Sequence, residues 1–178
     1  MNNPAEIHSS FTVRTASRRD LDALVRVCLD WPGAPAASNP SLLRELLEQA
    51  LSDDDATLYL AVSGGSPDGL GLERALGFAH VTFQARPVRL GWRATIEELH
   101  VPSTVTPAQT PSSVETALLE AIVRECRARG DVIALYLLTQ PDLEPRQLEF
   151  YDGLGFRERG RDVLIWNGPL DGPLNQPA

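Results

Sequence analysis

ATIEELHV (Ala94–Val101), a connection carrying Pro102, Pro107 and Pro111, and SSVETALLEAIVRECRARG (Ser112–Gly130) together decide the fold. The first piece reads as a strand, and the last spaces its apolar residues at a helical period. VIALYLL (Val132–Leu138) follows at once, apolar without alternation, as expected of a strand covered on both faces and parallel to its neighbour. Strand, loop, helix and strand in this order form a right-handed crossover.

Toward the N-terminus, Phe11 to Thr15 reads as a strand. Ser17 opens a helix, with Asp20 completing a capping pattern and Leu21, Leu24, Val25 and Cys28 forming one apolar stripe. Trp31 to Ala37 is a loop. A second helix starts at Asn39 with Pro40 in its first turn, and Leu43, Leu46, Leu47 and Ala50 make its buried face. It ends before the solvated run Asp53, Asp54, Asp55. Thr57 to Val62 and Gly77 to Gln84 are strands, and the turn at Arg86 to Gly91 returns the chain antiparallel to Ala94–Val101. Beyond the crossover lie a short helix from about Arg146 to Asp152 and a closing hairpin, Gly155 to Arg159 with Asp162 to Trp166.

The expected class is α/β with a mixed sheet. About six to seven mostly antiparallel strands surround a parallel, splayed central pair, with about four helices. Residues 11–166 form one domain, between a flexible N-terminus (1–10) and a loosely ordered tail (167–178).

The 178 residues carry a formal charge of −8, and all 16 basic residues are arginine. Scattered cations on an acidic chain argue against nucleic acid, and the absence of lysine removes any Schiff-base chemistry. Cys28 and Cys126 fall at apolar helical positions and read as core, so neither a disulfide nor a metal site is expected. No run approaches the ~20 apolar residues of a membrane span and no signal peptide is evident, so a cytoplasmic protein is the expectation.

The element order, with IEELHV (Ile96–Val101), ALLEAI (Ala117–Ile122) and FYDGLGF (Phe150–Phe156), resembles the GNAT superfamily of N-acetyltransferases from Phe11 to Trp166. The resemblance implies that the pantetheine arm of acetyl-CoA lies between the splayed strands, beside Leu99 and Val101. It also implies direct attack of a small-molecule amine on the thioester. Tyr151 matches the tyrosine that protonates the departing thiolate, against a packing role beneath the sheet. Glu97 and Glu98 are the candidate bases, on opposite faces if the strand alternates. Glu98 shares its face with His100, which would relay a proton; a solvated glutamate and a rim histidine are the alternative. Nothing points to a metal, and a homodimer is left open.

The family's cofactor loop, Q/R-x-x-G-x-G/A, aligns on Thr110, Ser113 and Glu115, with Ser112 and Val114 between them. All three diagnostic positions differ, and no register restores them, because no glycine occurs between Gly91 and Gly130 and no arginine between Arg93 and Arg124. Ser112 and Glu115 instead spell a capping box, which occupies the amides a diphosphate would use. Two functions therefore stand: an acyltransferase with rearranged diphosphate binding, and a catalytically inactive GNAT-like binding or dimerisation module.

Overall fold

Ser17 and Asp20 start the first helical segment as their spacing predicts. The Ser17 backbone N–H and hydroxyl both donate to Asp20 Oδ2 at 2.9 Å, and Arg14 donates two further bonds of 2.8 Å to the same carboxylate. Asn39 caps the second helix, accepting from the Leu42 N–H at 3.2 Å, with Pro40 at its first position. A computed structural model describes residues 11–31, 35–63, 74–102, 111–138 and 145–157, in two compact units, 1–141 and 142–178.

In the larger unit β1 (Phe11–Thr15), α1 (Leu21–Leu29), α2 (Pro40–Ala50), β2 (Ala56–Ser63), β3 (Ala75–Arg86), β4 (Gly91–His100), α3 (Pro111–Arg129) and β5 (Val132–Leu137) follow in chain order. The five strands lie in the order β1-β2-β3-β4-β5, antiparallel except for the parallel β4–β5 pair. The crossover over α3 therefore joins parallel neighbours, as Ala94–Leu138 predicts. The smaller unit contributes α4 (Pro145–Gly153) among the described residues.

Each sheet face has its own core. Leu58, Leu60, Val62 and Phe78 pack with Leu21, Leu24, Val27, Cys28 and Leu47 from α1 and α2. On the other face α3 contributes Val114, Leu118, Leu119 and Ile122, none more than 1% exposed. Gly77 marks the closest approach: a Cβ there would sit 2.9 Å from the His100 carbonyl oxygen and 3.4 Å from Leu118 Cδ1. Both cysteines are buried, and burial followed by the charge of Glu98 pushes the Cys28 thiol up to about 12.

Several expectations shift. Leu46 is 53% exposed, so the buried face of α2 narrows to Leu47 flanked by half-buried Leu43 and Ala50. β5 is half-buried rather than covered on both faces, with Ile133 47% exposed, because β5 ends the strand order among the described residues. Helix α3 opens at Pro111, where proline's missing N–H costs nothing. Ser112 therefore sits within the first turn instead of flanking it. Gly155 and its neighbours to Arg157 form a turn and coil rather than a strand, while the rest of the predicted hairpin, the tail and Thr110 lie outside the described residues.

Candidate active site

β4 changes character halfway along. From Trp92 to Ile96 it pairs with β5, and Leu138 N–H closes the ladder on the Ile96 carbonyl at 3.2 Å. From Glu97 to His100 no described β5 residue pairs with it, although β3 remains hydrogen-bonded on the other side. Among the described residues, pairing on the β5 side of β4 therefore ends before Leu99.

A bulge sits at the same place. Ile96 pairs with Val81 and Glu98 with the adjacent His80, so Glu97 is an extra residue in β4. An extra residue breaks the two-residue alternation and re-aims its side chain. The effect is visible in two contacts. Thr82 Oγ1 donates to Glu97 Oε1 at 2.6 Å, and His80 Nδ1 lies 3.8 Å from Glu98 Oε2. His80 and Thr82 are two residues apart on β3 and share a face. Glu97 and Glu98 therefore stand on the same face, not on opposite faces as regular alternation predicts. Both are exposed.

His100 takes a different place from the expected relay. It is 9% exposed, its ring stacks on Trp31 at 4.9 Å with 9° between planes, and Phe78 meets it edge-on at 6.4 Å. Burial lowers its pKa, opposed by the charge of Asp30, and its Nε2 has no hydrogen-bond partner among the described residues. The imidazole beside Glu98 is that of His80. Neither His80 nor Thr82 stands out in the sequence, because their relevance depends on β3–β4 register and the bulge. The signal available was His80 two residues after Phe78, on the strand predicted to pair with the glutamates.

The remaining candidates are more dispersed. Leu99 and Val101 are half-buried; Leu99 pairs with Ala79, and a Cβ on Gly77 would approach Val101 Cγ2 to 3.0 Å. Both side chains thus point to the α3 face, away from the glutamates. At the start of α3, Ser113 is exposed, Glu115 half-buried and Val114 fully buried in the core. The Ser112 side chain is outside the described residues. In the smaller unit Tyr151 is half-buried on α4, its ring 5.3 Å from Phe150 and 6.5 Å from Phe156, both edge-on. Among the described residues no group of three or more His, Cys, Asp or Glu is placed to hold a metal ion, and no helix is long and apolar enough to cross a membrane.

The site so described offers a segment of β4 that no described β5 residue pairs with and two carboxylates, one close to an imidazole, on one face. Such groups can orient an amine and take up its proton. That segment of β4 suits an extended, amide-bearing arm. The start of α3 does not suit a diphosphate, since Pro111 contributes no N–H and no glycine permits close approach.

No protein-family model and no curated relative matches the sequence. Solved structures do. A probable acetyltransferase superposes with a TM-score of 0.69 at 20% identity, over 90% of this chain and 99% of that one. The aminoglycoside N-acetyltransferase AAC(6')-Iy, solved in complex with CoA, gives 0.67 at 20% identity over 89% and 95%. A protein described as a transcriptional regulator from Bacillus halodurans C-125 gives 0.68 at 21% identity over 88% and 99%. The shared architecture, a mixed sheet with a parallel β4–β5 pair and four helices, is the GNAT fold.

Proposed function

We propose that the protein is an N-acyltransferase that moves an acetyl or related acyl group from a CoA thioester to a small amine by direct attack. The observation that carries this reading is the bulge at Glu97, which gathers two carboxylates on one face just past the last described β4–β5 pair. Solved proteins of the same fold include acetyltransferases, one of them in complex with CoA.

Acetyl-CoA supplies the activated acyl group. The edge of β4 at Leu99 and Val101 holds the pantetheine arm, while Glu97 and Glu98 bind the incoming ammonium and remove a proton to free the nitrogen lone pair. His80 steadies Glu98 and passes that proton toward solvent. As the C–S bond breaks, the thiolate takes up a proton; the family resemblance assigns its delivery to Tyr151, a role that a phenol suits because its pKa lies near that of the thiol. The diphosphate receives little help from α3, so donor affinity is weak for a CoA enzyme. A thiol-release assay over a panel of amines tests the proposal: transfer should require Glu97 or Glu98, and Tyr151→Phe should slow turnover at least ~10-fold. Unchanged turnover in Tyr151→Phe rejects the acid assignment.

The second reading, an inactive GNAT-like binding module, is favoured by one observation. Every cation and glycine of the family's cofactor loop is missing from the start of α3. It predicts no acyl transfer and no acetyl-CoA binding.

A further inference from the structure

The face of the sheet that carries Glu97 and Glu98 also carries a cation without a carboxylate. Arg93 pairs directly with Gln84 across β3 and β4, and its guanidinium donates to Gln84 Oε1 and lies 5.6 Å from the Tyr136 ring centroid. Its Nε is buried with no acceptor, and among the described residues it has no ion-pair partner. In a chain with 24 acidic and 16 basic residues, a half-buried guanidinium without a carboxylate is conspicuous. A buried donor left unpaired is costly, and an arginine fork is the group best shaped to close on a carboxylate.

Position turns this into specificity. Gln84, Thr82 and His80 follow one another at two-residue steps on β3, opposite Arg93, Thr95 and Glu98, with Glu97 bonded to Thr82. At ~3.3 Å per residue the Thr82 position, where the Glu97 carboxylate is bonded, lies about 7 Å along the sheet from the Arg93–Gln84 pair, and the Glu98 position lies about 13 Å from it. We infer that the acceptor is an extended aminocarboxylate, its amine at Glu97 and Glu98 and its carboxylate at Arg93, with ends about 10 Å apart as in a tripeptide. The exposed side chain of Gln84 swings aside to admit the carboxylate. One guanidinium neutralises one negative charge, which favours a carboxylate over a phosphate dianion. The inference rests on the acyl-transfer reading for the identity of the amine end, but its test needs no acyl donor.

The probes are triglycine, triglycine amide, which lacks the terminal charge, and free glycine, which is too short to reach both ends. Calorimetry on the whole protein, with the Arg93 Nε–H resonance followed by NMR, should show triglycine binding about tenfold more tightly than its amide, and glycine not bridging the two ends. The Nε–H resonance should move with triglycine only. Arg93→Ala should abolish the discrimination and Arg93→Lys should retain part of it. Equal affinity for triglycine and its amide in the wild type overturns the inference, as does discrimination that survives in Arg93→Ala. Should the alanine variant fail to fold, the wild-type comparison decides alone. Discrimination without acyl transfer leaves this inference standing and removes the enzymatic reading; transfer without discrimination does the reverse.

Discussion

Asp20 gathers four hydrogen bonds on one carboxylate, two from Arg14 and two from Ser17. The Arg14 bond, ahead of the bonds from Ser17, holds its carboxyl far below the ordinary range despite burial. A depressed carboxyl contributes stability that is complete above about pH 4 and is lost as pH falls through the folded value. Asp20→Asn should therefore lower stability by about 2 kcal/mol at neutral pH and flatten the acid limb of a denaturation series. An unchanged acid limb would mean that the bond network is dispensable. His100 acts in the same direction by another cause. Burial lowers its pKa in the folded state, so the unfolded chain binds more protons as pH drops below about 6.5, and stability falls with it. His100→Phe preserves a ring against Trp31 and should lose that part of the pH dependence, as urea melts at pH 7 and 5.5 would show.

At the scale of elements, most of the fold was legible and the decisive detail was not. Ser17 with Asp20, and Asn39 with Pro40, carry helix starts in local chemistry, and both starts appear in the structure. The run VIALYL forms the parallel strand its composition suggests. The extra residue at Glu97 leaves no local mark, since IEELHV would alternate equally well without it; register is a property of two strands. The same limit hid His80 and Thr82, and it sent Glu97 to the wrong face. Arg93 carried no motif and acquired meaning only through Gln84 and Tyr136. Deleting Glu97 should restore alternation, leaving Glu98 as the single glutamate opposite His80 and abolishing transfer while the sheet persists. Retained activity in that variant would dissociate the bulge from the chemistry. Gly77→Ala tests the packing beneath the same segment. Its Cβ meets the His100 carbonyl, backbone that cannot swing away, so a loss of about 2 kcal/mol in chemical denaturation is expected.

For the whole molecule, the architecture and the donor contacts pull apart. The glutamates gathered by the bulge favour acyl transfer, whereas the start of α3 withholds glycine and cation from a diphosphate. A carboxylate ~4 Å from a phosphate charge costs about 4 kcal/mol at an effective dielectric near 20, which makes Glu115 the largest single opponent of binding if it faces the donor. Glu115→Gln should then tighten the donor, and an unchanged affinity would place Glu115 away from the phosphates. The most direct measurement is a calorimetric titration of the wild-type protein with acetyl-CoA. The acyltransferase account predicts saturable binding with a Kd below about 1 mM. No heat of binding at several-fold higher concentration would contradict it and leave the GNAT fold here as a scaffold for something other than acyl transfer.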